Sequence, residues 1–400
     1  MERVPIDGPL AGLRIVDLST AATGPYAVTL LADQGADVIK VERPGIGDIS
    51  RWIGTATTGG ISALYQMCNR GKRCVGVDLR TERGRDLVRT LIARADVVVQ
   101  NWRPGVAERL GLGYADVRRD DLVYCSISGF GAHGPYAGKG AYDTVIQAYG
   151  GVAENQKDPD TGRPRFSNQA LADKVTALTA AQAITAALYA RERGRGGQHL
   201  ELSMLDAVIS FMWVDSAGND VLRDGDGSQP GSFVADVRPY AFLDGWGIAT
   251  PTSDADFAGM CRAFGVEGYD DPRVATIAER RRNREVGHAL VTRCHEAATG
   301  LTVAEGIARL EAENVPCGIV LGPGDLAGDP HIAAVGVLED DVHPTAGRLR
   351  QPRHPTLFGG TPGRLGAPAP TLGADTDAIL ADLGLDPDQV AELRAAKVVC

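Results

Sequence analysis

Four hundred residues exceed what one hydrophobic core usually organises, so two lobes are expected from a chain whose 44% hydrophobic and 23% charged residues are those of an ordinary folded protein. A formal net charge of −10 argues against non-specific nucleic-acid binding, which requires a basic surface. The arginines and lysines clustered in the first 110 residues (Arg43, Arg51, Arg70, Lys72, Arg73, Arg103, Arg109) leave room for a local basic pocket that takes a phosphorylated ligand. Seven cysteines without a CxxC pair predict reduced thiols rather than a disulfide framework or a zinc site, and the absence of a leader pattern or of an uncharged run of roughly 18 residues predicts a cytoplasmic protein that does not engage a membrane.

The first 200 residues alternate short apolar runs with helical periodicity. Leu13–Leu18 reads as a strand, and a Gly24-Pro25 turn leads into apolar positions at helical spacing. Asp37–Val41 is the next strand, Thr81–Arg94 an amphipathic helix, and Asp96–Gln100 and Leu122–Ser126 further strands. A long Ala/Leu/Ile/Thr helix spans Leu171–Arg193 and stops at Gly194, with arginines in its last turn to suit the dipole. Gln198–Leu202 is again a strand, with Ser203 placed to cap the helix after it. Strands alternating with helices predict a parallel sheet, hence an α/β, Rossmann-like large domain. Residues 1–215 form its N-terminal part. Residues 216–231, including a turn-rich stretch at 224–231, read as a linker. A smaller α+β domain follows over 232–322, with a strand pair across Pro239–Thr250 turning at Asp244-Gly245 and a helix with the charged face Glu279–Arg284. Residues 323–370 read as a connection back to the large domain, which 371–400 complete with two short helices.

Several motifs are missing. There is no GxxxxGK[ST] loop, HExxH, GxSxG or EF-hand loop, and Gly24 and Gly35 do not space as GxGxxG. His343-Pro344 and His354-Pro355 predict solvated loop histidines, and His199 a half-buried strand residue. No metal is expected. The chemistry concentrates instead at Asp173, in the first turn of the long apolar helix. Helix N-terminal amides favour an anion, and an ionised carboxylate beside them can serve as a covalent nucleophile. An acid at that position also serves the dipole alone, and spacing does not separate the two roles.

Six stretches, in order, resemble the family III CoA-transferases (the CaiB/BaiF family). They are PLAGLRIVDLSTAATGPYAVTLLADQGADVIKVERPGIGD (Pro9–Asp48), NRGKRCVGVDL (Asn69–Leu79), ADVVVQNWRPGVAERLGLGY (Ala95–Tyr114), VYCSISGFGAHGPYAGKGAYD (Val123–Asp143), GRGGQHLELSMLDA (Gly194–Ala207) and APAPTLGADTDAILADLGL (Ala367–Leu385). The resemblance covers nearly the whole chain. It implies two-lobed subunits threaded as an interlocked, ring-like homodimer, or a heteromer with a paralogue. It also implies coenzyme A in acyl-CoA form as the substrate, with a small carboxylic acid as acceptor.

By the same resemblance, Asp173 is the catalytic aspartate, which forms first an acyl anhydride and then a CoA thioester. Arg43 lies near the adenosine phosphate or base, and Arg73 and Val77 beside the adenine. Asn101 and Arg109 fall in the loop and short helix after the third strand of the pattern. Ala22 and Thr23 approach the thioester carbonyl, and Lys139 meets CoA. Tyr142 and Asp143 orient the site. The family's racemases carry a histidine immediately before the aspartate matching Asp143, where this chain has Tyr142. A phenol with an unperturbed pKa near about 10 is a poor base at neutral pH, so CoA transfer is expected over α-proton exchange. A racemase-type enzyme and a non-catalytic acyl-CoA-binding subunit are the alternatives.

Overall fold

Short segments of the first half, most of them apolar and β-branched, assemble into a six-stranded sheet. The computed structural model describes residues 7–54, 57–224 and 237–400. The strands are β1 (Arg14–Asp17), β2 (Asp37–Glu42), β3 (Arg73–Gly76), β4 (Val97–Gln100), β5 (Val123–Ser128) and β6 (Gln198–Ser203). They lie in the order β3-β2-β1-β4-β5-β6, and every neighbouring pair is parallel. This is the doubly wound order, and it reverses between β1 and β4.

Because successive strand residues point to opposite faces, each strand feeds two cores. Ile15, Val38, Val97, Val99 and Val123 pack on one side against α1 (Thr23–Ala32) and α2 (Leu171–Ala190). Val16, Ile39, Val75, Val98 and Tyr124 pack on the other against α3 (Glu82–Ala93) and two C-terminal helices, Thr376–Asp382 and Pro387–Ala395. The last residues join the sheet directly, Val399 bridging to Val77. Of the expected elements, the long helix ends slightly early. Its α-helical turns stop at Ala190, and Arg191–Arg195 continue as a wider turn in which Gly194 takes φ 77°, a left-handed conformation suited to glycine. Ser203 caps the helix Met204–Ser216 as expected, accepting a bond from the Asp206 N–H at 3.2 Å.

The chain divides into two compact units, 1–231 with 336–400, and 232–335. The second has its own three-stranded antiparallel sheet (Tyr240–Ala241, Trp246–Ala249, Cys317–Ile319) and an apolar core under three helices. The turn-rich stretch expected at 224–231 lies, beyond Asp224, outside the described residues. The stretch expected as a plain connection contains a hairpin, Leu338–His343 with Gly347–Pro352. His343, expected in solvent, is buried there. Its Nε2 donates to the Ala369 carbonyl at 2.8 Å, while Nδ1 accepts from the Thr345 and Ala346 amides, so the ring closes the hairpin turn. All seven cysteines are free thiols. Among the described residues no helix is long and apolar enough to cross a membrane.

Candidate active site at the sheet's switch point

In a doubly wound sheet, loops leaving the carboxyl ends of strands on either side of the order reversal diverge and leave a crevice. Here a cleft of about 290 Å³ opens at that point. Thr20, Ala21 and Thr23 reach it from β1, Asn101, Trp102 and Arg103 from β4, and Ser128 and Gly129 from β5. Lys139, Tyr142, Met204 and Asp173 complete its walls.

Asp173 reaches the cleft from the first turn of α2, where its Oδ1 accepts a hydrogen bond from the Thr23 hydroxyl. Those two residues are 150 positions apart and meet because α1 and α2 pack side by side. Gly24, in the first turn of α1, permits the close approach of the preceding loop, since a Cβ there would lie 2.4 Å from that of Ser19. The electrostatics differ from the sequence expectation. The helix-start amides do not bring the Asp173 carboxyl below its ordinary pKa: its own N–H is donated to Asp143 Oδ1 at 3.1 Å. Burial pushes the Asp173 carboxyl up to about 6, the Thr23 bond works against this, and the neighbouring Asp143 charge adds to it. Asp143 is itself fixed by Gln147, whose Nε2 donates to Asp143 Oδ2 at 2.5 Å and to the Gln169 carbonyl at 3.1 Å.

Under the cleft floor lies a fully buried set of charges. Asp17 and Lys40 face each other across β1 and β2, and Lys72 Nζ sits 2.8 Å from Asp17 Oδ2. Lys40 Nζ lies 2.9 Å from Asp48 Oδ2, and Arg51 grips Glu42 with two bonds of 2.8 and 2.9 Å. Three acids and three bases cancel. Burial alone would raise the Asp17 pKa, but Lys72 and Lys40 overcome it and keep the carboxyl below its ordinary value. Lys40 is held well above its ordinary value because Asp48 and Asp17 outweigh its burial. The set is anchored to the site: Lys40 Nζ donates to the Ser19 carbonyl and Lys72 Nζ to the Pro25 carbonyl, each at 2.8 Å.

Of the residues expected to act, Asp173, Thr23, Asn101, Lys139 and Tyr142 share the cleft. Ala22 caps α1 beside it, and Asp143 stands behind Asp173. Asn101 turns its amide onto the protein, accepting from Thr20 N–H at 2.8 Å and donating to Thr20 O at 2.7 Å. Lys139 lies over the Tyr136 ring at 4.1 Å and donates to the Tyr149 hydroxyl at 2.9 Å. Tyr142 is 75% exposed. Arg43 and Arg109 are exposed outside the cleft lining, after β2 and in the short helix after β4. Arg73 departs from expectation: its guanidinium is taken by Asp37 at 2.7 Å and Asp382 at 3.0 Å, and it is not in the cleft. The Val77 side chain is buried in the core, and its backbone N–H donates to the Glu42 carbonyl at 2.8 Å beside the bridge to Val399. Sequence reasoning gave Trp102 no role and read Arg51, Arg70, Lys72 and Arg103 only as members of a basic cluster; Arg103 does line the cleft, whereas Arg51, Arg70 and Lys72 are buried in ion pairs. The signal for the buried charges was a lysine, Lys40, set between Ile39 and Val41 in the middle of β2.

Residues 10–376 match the model of CoA-transferase family III. The chain is 33% identical to a succinate–glutarate CoA-transferase of Agrobacterium fabrum, covering 94% of this chain and 96% of that protein. It is 30% identical to a succinyl-CoA:glutarate CoA-transferase of Homo sapiens (98% and 90%) and 29% identical to a formyl-CoA:oxalate CoA-transferase of Escherichia coli (96% and 98%). A CAIB/BAIF family protein from Brucella suis superposes with a TM-score of 0.81 at 33% identity, over 94% of this chain and 100% of that one. With the fold, the switch-point cleft and a match over nine-tenths of its length all in agreement, the chain belongs to CoA-transferase family III.

Proposed function

We propose that this CoA-transferase moves CoA from an acyl-CoA donor to a small carboxylic acid, with Asp173 as the covalent nucleophile. The observation that carries this reading is a carboxylate at the cleft floor, aimed by the Thr23 hydroxyl, at the point where a doubly wound sheet binds ligands. The Asp173 carboxylate attacks the donor carbonyl, and the C–S bond breaks to give an aspartyl–acyl anhydride and CoA thiolate. The thiolate attacks the aspartyl carbonyl, releasing the donor acid and leaving an Asp173–CoA thioester. The acceptor carboxylate displaces the thiolate to form a second anhydride. The returning thiolate attacks the acceptor's acyl carbon, which yields the new acyl-CoA and frees Asp173.

Thr23, Ala22, Lys139 and Tyr142 border the acyl and pantetheine end, and the nucleotide end runs toward Arg43 and Arg109. Asn101 acts on the loop rather than on CoA. The relatives are named for succinate, glutarate and oxalate, and a short di-acid is the acceptor class we assign here. The free cysteines suit a reducing cytoplasm. The apolar side chains left exposed on Met204–Ser216 and α2, among them Phe211, Trp213, Val214 and Tyr189, suit cover by the partner of an interlocked dimer.

Two measurements test the reading. A panel of acyl-CoA donors and free acids, followed by mass spectrometry, is expected to show acceptor-dependent formation of new acyl-CoA. Exchange of the α-proton without CoA transfer would overturn it. The kcat/KM of that exchange is expected to rise with pH through about 6 and then level, because only the ionised Asp173 attacks. Thr23→Val removes the bond that opposes the upward shift, so its profile moves to higher pH. A profile flat from pH 5 to 8 in the parent protein would count against Asp173.

A further inference from the structure

The loop from β1 to α1 is tied at successive positions. Ser19 donates its amide to Asp17 Oδ1 at 2.9 Å and accepts from Lys40. Thr20 is held at both ends of its peptide by Asn101. Ala21 donates its amide to Asp48 Oδ1 at 2.9 Å. At Ala21 the backbone takes φ 66°, a left-handed conformation that an L side chain adopts at a cost and keeps only when its surroundings over-determine it. Two residues later the Thr23 hydroxyl meets Asp173.

Asp48 is built to impose that conformation. Its Oδ1 also accepts from the Ser50 amide and hydroxyl, each at 2.8 Å. Its other oxygen pairs with Lys40 at 2.9 Å, and its own N–H donates to Glu42 Oε2 at 2.7 Å. The side chain is buried and does not line the cleft, so it touches no substrate.

We propose that Asp48 is a positioning residue for CoA transfer: by holding the Ala21 amide it keeps the loop left-handed and the Thr23 hydroxyl aimed at Asp173. The proposal rests on Asp173 being the nucleophile. Asp48→Ala is expected to lower kcat about 100-fold, the order that a small misplacement of reacting groups costs, while the KM for acyl-CoA changes less than about threefold. Ala21→Gly added to that variant is expected to restore kcat about fivefold, because glycine takes positive φ without penalty. Ala21→Pro removes the donor and forbids positive φ while leaving the buried carboxylate and its ion pair in place. It is expected to lose kcat to the same extent, and it carries the test if Asp48→Ala does not fold.

Full kcat in folded Asp48→Ala or in Ala21→Pro overturns the proposal. So does a loss confined to KM, or a loss that Ala21→Gly leaves untouched. If Asp173→Asn still exchanges CoA, the reading beneath it fails. If Asp173→Asn is inactive and Asp48→Ala runs at full speed, this proposal alone fails.

Discussion

Asp173→Asn is expected to be both inactive and more stable than the parent protein. Loss of a covalent nucleophile removes the step rather than slowing it, so exchange should fall by about 10⁴-fold or more, while acyl-CoA still binds the unaltered cleft. The parent protein incubated with acyl-CoA should gain the mass of CoA on the peptide containing Asp173, and the variant should not. The stability gain follows from linkage. Asp173 has a folded-state pKa of about 6 against an ordinary 3.8, so the fold binds its proton more tightly than the unfolded chain does. Stability therefore declines as pH rises from about 3.8 to about 6, and the full cost, about 3 kcal/mol at most, is present at neutral pH. Asparagine never ionises and escapes that cost. Calorimetry should show a higher melting temperature for the variant at pH 7.5 and a smaller difference at pH 4.5. A variant that exchanges CoA at the parent rate would end the assignment.

Lys72→Met should be the most damaging single change in the large unit away from the cleft lining. It strips the fully buried Asp17 of its nearest cation and leaves the Pro25 carbonyl and Asn69 Oδ1 without the ammonium that serves them. Breaking a buried ion pair from one side costs about 3–5 kcal/mol, since the remaining charge cannot leave for water. Denaturant midpoints read from amide exchange in β1 and β2 should fall accordingly. Asp17→Asn in the same chain should recover part of the loss, because the pair is coupled. A change below about 1 kcal/mol would show that solvent reaches the site.

Which parts of this molecule were legible follows from the physics that governs each. Four of the six sheet strands announce themselves as apolar, β-branched runs and β6 as a short segment alternating leucine with polar residues, and their alternation with helices is enough for a parallel sheet. β3 does not, because Arg73–Gly76 holds a single β-branched residue, Val75, and ends on a glycine, directly after Gly71-Lys72. The hairpin 338–352 is mostly exposed and charged, and its register rests on a buried histidine that composition assigns to solvent. Lysine and aspartate are outside residues by type, so Lys40, Lys72, Asp17 and Asp48 could be found only by noticing that Lys40 shares a face with Val38 in β2. For the site, chemistry alone favoured a helix-dipole role for Asp173, and only the resemblance made it the nucleophile. The Thr23–Asp173 contact joins two distant helices, and no local spacing encodes it. Trp102 and Arg103 stood one and two residues beyond Asn101, in a motif already singled out, and needed only the rule that strand-end loops line the crevice.

The packing of Val398 and Val399 beside β3 carries a consequence for synthesis. A ribosome delivers the strands from the N-terminal end, but the part of one sheet face that α3 does not cover stays open to solvent until the helices after residue 375 have been made. The nascent chain therefore presents a wide apolar surface throughout its translation, and contacts spanning some 300 residues close it late. A holdase that shields that face, rather than one that rescues a finished chain, is the assistance such a fold calls for.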